Sequence, residues 1–304
     1  MENNKLKKIL LVLSLLILTN PALAKIKVFT CEPEWTSLVK EITQKKAVVY
    51  QAISGKQDPH KIQARPSLIA KVRNSDLLVC SGADLEIGWL PVLIEKAANK
   101  KIKLGTTGYF EAASVIDVID KKTNVDRSMG DQHPYGNPHI HLNPHNILIV
   151  GEEIVKRLSK IDPNNSKMYQ NNFADFKSKF TKKILEWESK AKVLENKNII
   201  SHHADINYLV QWLKLNLLST IENKPGIPPS ASQMKKLVND FKESDILVIN
   251  SFIMNPSKPS KWLSNKLQAP KVSLHYTVGS QNNIKNLFDL FEENLRILLD
   301  INNA

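Results

Sequence analysis

Glycine and arginine are both scarce in this chain of 304 residues. Only 10 residues are glycine, so the chain has no collagen-like or linker-like stretch. Only five of the 42 basic residues are arginine. Proteins that read nucleic acid depend on arginine for bidentate contacts with bases, and no nucleic-acid-binding motif is visible. We therefore interpret the net charge of +12 as a solvated, lysine-rich surface and expect no nucleic-acid partner.

Long apolar runs are absent after the first 24 residues, so no later segment is predicted to span a membrane. Residues 1–24 combine a basic start, an apolar run at 9–18 and a small-residue cleavage site at 22–24. This pattern is typical of a cleaved secretory signal peptide. Cleavage there would leave Lys25, which is not cysteine, as the first mature residue. The sequence therefore predicts a soluble periplasmic protein that is not a lipoprotein.

Cysteine occurs only twice, as Cys31 and Cys80. Both residues end predicted strands, and in an exported protein such a pair can oxidise. A disulfide and two buried thiols remain equal alternatives at this point. Their spacing does not indicate a metal site.

Short apolar runs alternate with helical patterns, which indicates βαβ units and parallel sheets. The predicted strands cover 25–30, 47–53, 76–82, 101–107, 197–203, 215–221, 244–250 and 270–278. Helices are expected to begin at Pro33, at Pro66, near Leu85 and after Ser230, and the last helix carries an apolar stripe from Ile284 to Leu298. Each half of the chain is thus predicted to be a four-stranded parallel-sheet α/β lobe.

The segment between the two halves is long and helical in pattern. From Tyr169 to Trp187, apolar residues recur every three or four positions and form one helix face. We expect a rigid backbone helix to join the two lobes. The predicted division is a signal peptide at 1–24, an N-terminal lobe at 25–160, the connecting helix at 161–196 and a C-terminal lobe at 197–304.

Histidine is rare, with eight residues in the chain, but several follow or end predicted strands. They are His60, His139, His203 and His275. Ligands of open α/β sheets bind outside the carboxyl ends of the strands, so these residues can converge on one cleft. Neutral imidazole is a good ligand for Zn²⁺, although the spacing matches no short zinc signature.

Four segments resemble the solute-binding components of bacterial zinc/manganese ABC transporters, the cluster A-I metal-binding family. They are "QDPHKIQARPSLIAKVRNSDLLVCSGADLEIGWLP" (57–91), "GNPHIHLNP" (136–144), "ISHHADINYL" (200–209) and "ENKPGIPPSASQMKKL" (222–237). Asn137 stands where the family commonly has Asp. The resemblance covers nearly the whole mature chain. It implies two α/β lobes joined by a long helix, a captured metal ion and an inner-membrane ABC permease as partner.

The resemblance also selects among neighbouring histidines. The family's ligand follows Asp-Pro, which His60 matches directly; His139 follows Asn-Pro, with Asn137 in the position of the Asp, and the match selects it over His141. A tyrosine follows a further family ligand by five residues, and Tyr208 stands at that distance from His203, so His203 is preferred to His202. His141 and His145 are expected to orient neighbours or to face solvent.

The fourth ligand is assigned to His275, at a point where many family members have an acidic residue. Water and His133 remain alternatives for this position. Imidazole-rich sites suit zinc and carboxylate-rich sites suit manganese, so Zn²⁺ is predicted over Mn²⁺ as the transported ion. Hydrogen bonds from the ring N–H groups are expected to go to Asp58, Asp131 and Asp205.

The leading hypothesis is therefore a monomeric periplasmic protein that captures zinc and is not an enzyme. A zinc-dependent hydrolase is one alternative, since three histidines can hold a catalytic zinc with an open position. No recognisable general base accompanies them. A manganese- or iron-binding transport protein of the same fold is a second alternative. A surface adhesin is the third, and the absence of a lipid-anchoring cysteine argues against it.

Overall fold

The computed structural model describes residues 25–122, 130, 133–251 and 258–302. These residues form eight β-strands and nine α-helices, arranged as two lobes. The predicted signal peptide at 1–24 lies outside the described residues. Within the described ranges, no helix combines the length and the apolar character needed to cross a bilayer.

The N-terminal lobe is built on a parallel sheet with the strand order β2-β1-β3-β4. Its strands are β1 Ile26–Thr30, β2 Ala47–Gln51, β3 Leu77–Cys80 and β4 Tyr109–Glu111. Its helices are α1 Pro33–Thr43, α2 Pro66–Arg73 and α3 Leu90–Ala97. Each of these helices has a proline in its first two positions, where the missing N–H would have no helical partner. β3 is buried on both faces, as expected for the middle of a parallel sheet.

Two helices occupy the middle of the chain, α4 Pro144–Ile161 and α5 Ser166–Ala191. Asn143 caps α4 by accepting a hydrogen bond from the backbone N–H of His145. At ~1.5 Å per residue, the 26 residues of α5 span roughly 39 Å, which is enough to run along both lobes.

The C-terminal lobe repeats the architecture of the first, with the strand order β6-β5-β7-β8. Its strands are β5 Asn198–Ser201, β6 Asn216–Thr220, β7 Leu247–Ser251 and β8 Lys271–Leu274. Its helices are α6 Asn207–Leu213, α7 Ala231–Phe241, α8 Lys258–Leu267 and α9 Leu287–Asn302. The Ser230 hydroxyl caps α7 by accepting from the backbone N–H of Gln233 at 3.2 Å, as the sequence predicted for this helix start.

Helix α5 packs against both lobes. On one side, Asn172 donates to the carbonyl oxygen of Ile42 in α1 at 2.9 Å. On the other, the Trp187 Nε1–H donates to Glu292 in α9 at 2.7 Å. A single cluster of buried apolar side chains includes members of both sheets and of α5, so the lobes share one core. The predicted fold, two four-stranded parallel α/β lobes joined by a long helix, is confirmed.

Two details of the strand prediction are wrong. Residues 101–107 form turns, and the fourth strand of the sheet lies at Tyr109–Glu111 instead. The Thr106 hydroxyl lies 2.7 Å from the carbonyl oxygens of both Lys101 and Lys103, which closes the segment into turns. The last strand ends at Leu274, four residues before the predicted end at 278.

Cys31 and Cys80 form a disulfide, with their Cα atoms 4.8 Å apart. The structure thus resolves the two alternatives left open by the sequence. The bond joins the chain just after β1 to the end of the neighbouring β3. Closing a loop with a sequence separation of 49 stabilises the fold by about 4 kcal/mol in the chain-entropy account.

Gly151 lies on α4 where this helix packs against α5. A Cβ atom at this position would lie 2.3 Å from the Phe173 ring. We expect Gly151→Ala to lower the free energy of unfolding by about 1 kcal/mol or more, because the overpacking outweighs the gain in helix propensity. Urea denaturation measures the change. Gly88→Ala is the matched control, since its added Cβ meets no atom closer than 3.6 Å. Unchanged stability of Gly151→Ala would contradict the close α4–α5 packing.

Candidate metal centre

His60 lies in the loop after β2, in a single turn of 3₁₀ helix that starts at Pro59. Asp58 caps this turn and accepts from the His60 backbone N–H at 3.0 Å and from its ring Nδ1 at 2.9 Å. Burial acts to raise the pKa of Asp58, but hydrogen bonds from His60 and Lys61 outweigh burial and hold this pKa well below its usual range. The expected pairing of Asp58 with a histidine ring is present.

His139 follows Asn137-Pro138 and is buried. The Asn137 side-chain oxygen accepts from the His139 backbone N–H at 3.1 Å and from its Nδ1 at 2.7 Å. Burial lowers the pKa of His139 well below its ordinary value, and the neighbouring rings of His60 and His203 lower it further. The ring is therefore held neutral, which is the form that binds a metal ion.

His203 follows β5 and is the ring that the C-terminal lobe contributes to the cluster. Its Nδ1 donates to Glu222 at 2.7 Å, and the same carboxylate accepts from the Gly226 N–H at 2.8 Å. Burial acts to raise the pKa of Glu222, but hydrogen bonds from His202 and His203 lower it to about 2. The Nε2 of His202 lies 3.4 Å from Glu222, and its Nδ1 lies 2.7 Å from the Ser260 hydroxyl.

His133 approaches the same cluster from the segment before Asn137. Its Nε2 lies 3.1 Å from the Nε2 of His60, and the two ring centroids are 5.2 Å apart. Its ring centroid lies 6.4 Å from that of His139. Burial, followed by the charges of His60 and His203, lowers the pKa of His133 to about 3.

His275 is not brought to this group. Its Nδ1 lies 3.4 Å from the Ser280 hydroxyl, and its backbone N–H and carbonyl are paired with the side chain of Asn294 in α9. The next residue faces the cluster instead, because the Tyr276 ring centroid lies 5.5 Å from that of His139. Successive residues of an extended chain point to opposite sides, so a single step along the chain decides which side chain reaches the cleft.

The acceptors fix the tautomers of three rings. Oxygen atoms of Asp58, Asn137 and Glu222 can only accept, so the Nδ1 atoms of the rings they face carry the protons. The Nε2 atoms of His60, His139 and His203 therefore keep their lone pairs. In the metal-free protein, the short His133–His60 contact needs a proton on the Nε2 of His133. A cation would bind this Nε2 only after that proton moves to Nδ1 of the same ring, which has no hydrogen-bond partner among the residues that the structure describes.

The rings are spaced slightly wider than a closed metal site requires. The His60–His139 and His139–His203 centroids are 6.2 and 6.3 Å apart. No three of the four rings offer donor nitrogens that all lie within 4.8 Å of one another. Nitrogen ligands of a tetrahedral zinc ion lie roughly 3.3 Å apart. The ring centroids would have to approach one another by about 1–2 Å to bring their nitrogens to that spacing.

His141 lies close to the cluster and contacts both lobes. It is fully buried, with Nδ1 at 3.2 Å from Glu34 of α1 and Nε2 at 2.9 Å from the Tyr276 carbonyl oxygen. Thr277 donates to the other oxygen of Glu34 through a short hydrogen bond. His145 lies on the surface and pairs with Glu188 of α5 at 2.7 Å. Both residues have the orienting or exposed positions that the sequence predicted.

Two partners of the rings were missed by sequence reasoning, namely Glu222 and the amide of Asn137. Asp205, one of the expected acceptors, is buried with an Oδ1 atom that has no hydrogen-bond partner. Asp131 lies outside the described residues. The position of Glu222 just after β6 is the one available signal, since β6 pairs with β5, the strand that leads to His203.

The cluster opens into a cleft of about 280 Å³ between the lobes. Its walls include three of the histidines and polar residues of both lobes, among them Asp120, His133, Asn137, His139, His203 and Asn207. Lys121 and Lys122 also line this cleft. The arrangement offers neutral nitrogen donors at the end of a cleft that is open to solvent.

Comparison with known proteins places this geometry in a family. The sequence model of the family described as zinc-uptake complex component A, periplasmic, matches residues 28–301. The manganese ABC transporter substrate-binding lipoprotein PsaA of Streptococcus mitis is 26% identical over 255 residues, covering 81% of this chain and 78% of the relative. The high-affinity zinc uptake system protein ZnuA of Bacillus subtilis is 25% identical over 288 residues, covering 91% and 87%.

Solved structures agree on the fold. A crystal structure of ZnuA superposes with a TM-score of 0.73 at 22% identity, covering 92% of this chain and 99% of the other. The two-lobe fold of this chain is thus shared with the solved ZnuA structure. The chain belongs to the zinc-uptake complex component A family, and it is a metal-binding component of an ABC transporter rather than an enzyme.

The lowered pKa values of His133 and His139 predict how the metal-free protein responds to acid. Unfolding restores ordinary histidines, which bind protons below about pH 6.5, whereas the folded rings stay neutral to lower pH. At these two positions the unfolded state therefore binds more protons, and the contribution of the two rings to the free energy of unfolding falls as the pH drops from about 6.5. Burial raises the pKa of Glu32 and Glu86, and these carboxyls act in the opposite direction, so the contribution of a ring is read from the difference between variants. The slope approaches about 1.4 kcal/mol per pH unit for each such ring.

Urea denaturation of the metal-free protein between pH 7 and pH 4.5 measures this slope. His133→Gln removes one of the two rings and should flatten the dependence. An equal slope in His133→Gln and in the unmodified chain would contradict the neutral, buried state of His133.

Proposed function

We propose that this protein captures Zn²⁺ between its lobes and delivers it to an inner-membrane ABC permease. The proposed ligands are the Nε2 atoms of His60, His133, His139 and His203. The single observation that supports this most strongly is the set of hydrogen bonds that leave Nε2 unprotonated in three neighbouring rings of both lobes, with centroids 6.2 and 6.3 Å apart. His133 replaces His275 in the set, because its Nε2 lies 3.1 Å from that of His60.

The donor chemistry supports zinc over manganese. All four proposed donors are imidazole nitrogens, and the nearby carboxylates of Asp58 and Glu222 are already engaged by ring Nδ1–H groups. Imidazole suits zinc, while carboxylate and water ligands suit manganese. The relatives include proteins named for each metal, so the donor set of this chain is the basis of the choice.

Capture and release follow from the division of ligands between the lobes. Three of the proposed ligands belong to the N-terminal half and His203 to the C-terminal half, so a bound ion draws the lobes together by the small contraction described above. Separation of the lobes removes His203 and weakens the hold on the ion. A permease that binds the open form would therefore receive the metal.

Zinc titration of the mature chain against a competing chelator tests this proposal. We expect one tightly bound zinc per chain in the unmodified protein. His139→Ala should lose at least about 100-fold in affinity, because it removes a central ligand together with the ring that Asn137 orients. His133→Ala should lose less, since water can take a fourth position on zinc.

His275→Gln is the matched control, because this ring lies beside Ser280 and α9, and its zinc affinity should equal that of the unmodified chain. The same titration with Mn²⁺ should give much weaker binding. Equal affinity for the two metals, or loss of zinc binding in His275→Gln, would contradict the proposed ligand set.

We also propose that residues 1–24 are removed on export and that the periplasmic protein is a monomer without a lipid anchor. Its proposed parts are the lobes at 25–160 and 197–304 and the connecting helix at 161–196. The basic start, the apolar run and the small-residue site of the first segment support the cleavage. Mass spectrometry of the exported chain should find unmodified Lys25 at the N-terminus, and a lipid-modified or uncleaved terminus would refute this proposal.

A further inference from the structure

The side chain of Asn137 touches both lobes and a proposed zinc ligand at once. Its Oδ1 accepts from the backbone N–H and the Nδ1–H of His139 at 3.1 and 2.7 Å. Its Nδ2 donates to the carbonyl oxygen of Ala204 at 2.8 Å and to Asp120 at 3.1 Å. Ala204 directly follows His203, so one amide joins a ligand of the N-terminal lobe to the backbone beside a ligand of the C-terminal lobe.

The partners of this amide fix its orientation. The Ala204 carbonyl and the Asp120 carboxylate can only accept hydrogen bonds, so the atom that faces them must be the NH₂ group. The oxygen then faces His139 and requires a proton on its Nδ1. The Nε2 of His139 is thereby left as the metal donor.

The Asn137 amide is one of several neighbouring groups that form hydrogen bonds between the lobes. Asp120 also accepts from Asn207 of α6 at 2.6 Å. The Tyr208 hydroxyl donates to the Asn137 carbonyl oxygen at 3.0 Å and accepts from the Ile119 N–H at 3.2 Å. Asp120 has a φ of 58°, a left-handed conformation that costs about 1 kcal/mol for a residue with a side chain. The contacts between the lobes therefore hold the Asp120 backbone in place.

We propose that Asn137 is a positioning residue that couples the orientation of His139 to the closure of the lobes, an inference that rests on the proposed zinc capture. With the lobes together, the amide is held at both ends. When the C-terminal lobe moves away, Nδ2 loses Ala204 and the amide is free to rotate. The oxygen then no longer fixes the His139 ring, and release of the metal follows.

A carboxylate at this position could not make the same link. One of its oxygens would still accept from His139. The other would face the Ala204 carbonyl and the Asp120 carboxylate with no proton to donate, and two like charges would meet. The amide is thus the side chain that satisfies both lobes.

Asn137→Asp tests the inference, because it keeps an oxygen opposite His139, removes the donor and adds a negative charge beside Asp120. The rate of zinc transfer from the loaded protein to a chelator, measured by stopped-flow fluorescence, should rise roughly tenfold or more. Tyr208→Phe is the matched control, since this hydroxyl also bridges the lobes but does not touch His139. Its transfer rate should change far less, and thermal denaturation shows that both variants fold.

The outcomes separate this inference from the proposed function. An unchanged rate in Asn137→Asp, or an equal rise in Tyr208→Phe, would overturn the role of Asn137 alone. Adding Asp120→Asn to Asn137→Asp restores a donor opposite the new carboxylate and should recover part of the slow transfer; no recovery would count against the coupling. Failure of the unmodified chain to bind zinc would overturn the proposed function and this inference with it.

Discussion

Burying neutral imidazoles between two lobes requires an acceptor for each ring nitrogen that does not face the metal. An unpaired buried polar group costs about 1–3 kcal/mol, and three of the four proposed ligand rings have their acceptor in place, while Nδ1 of His133 has no hydrogen-bond partner within the described part of the chain. Asp58 and Asn137 supply the acceptors in the N-terminal lobe, and Glu222 supplies the one in the C-terminal lobe. These acceptors lie on three separate loops, and the geometry of the site therefore depends on how the scaffold holds those loops.

The scaffold holds them by sharing one core between the lobes. Helix α5 packs against both lobes. The buried contact of His141 with Glu34 and the Tyr276 carbonyl also joins the lobes, close to the cluster. Only short movements are compatible with such a connection, because the core does not separate into two halves. The structure thus suits a site that contracts by an ångström or two around an ion better than one that opens widely.

Sequence reasoning reached His60, His139 and His203 because each lies beside a local signal, a preceding proline or the end of a strand. For the fourth position the sequence left His275, His133 and water as alternatives, because which side chain after β8 faces His139 depends on a one-residue register that apolar alternation does not define; in the structure Tyr276 lies there. Glu222 was missed for a different reason: it lies 19 residues from its partner, and only the pairing of β5 with β6 brings the two together. Long-range pairing of polar groups leaves no local pattern in the chain.

In the proposed site, zinc is held by imidazole nitrogens of both lobes and by no carboxylate. Zinc K-edge absorption spectroscopy of the loaded, unmodified protein tests it most directly, because the spectrum reports ligand type and distance together. We expect four nitrogen donors at about 2.0–2.1 Å from zinc, with the multiple-scattering pattern of imidazole. A spectrum dominated by carboxylate oxygens, or one with fewer than three imidazoles, would contradict it.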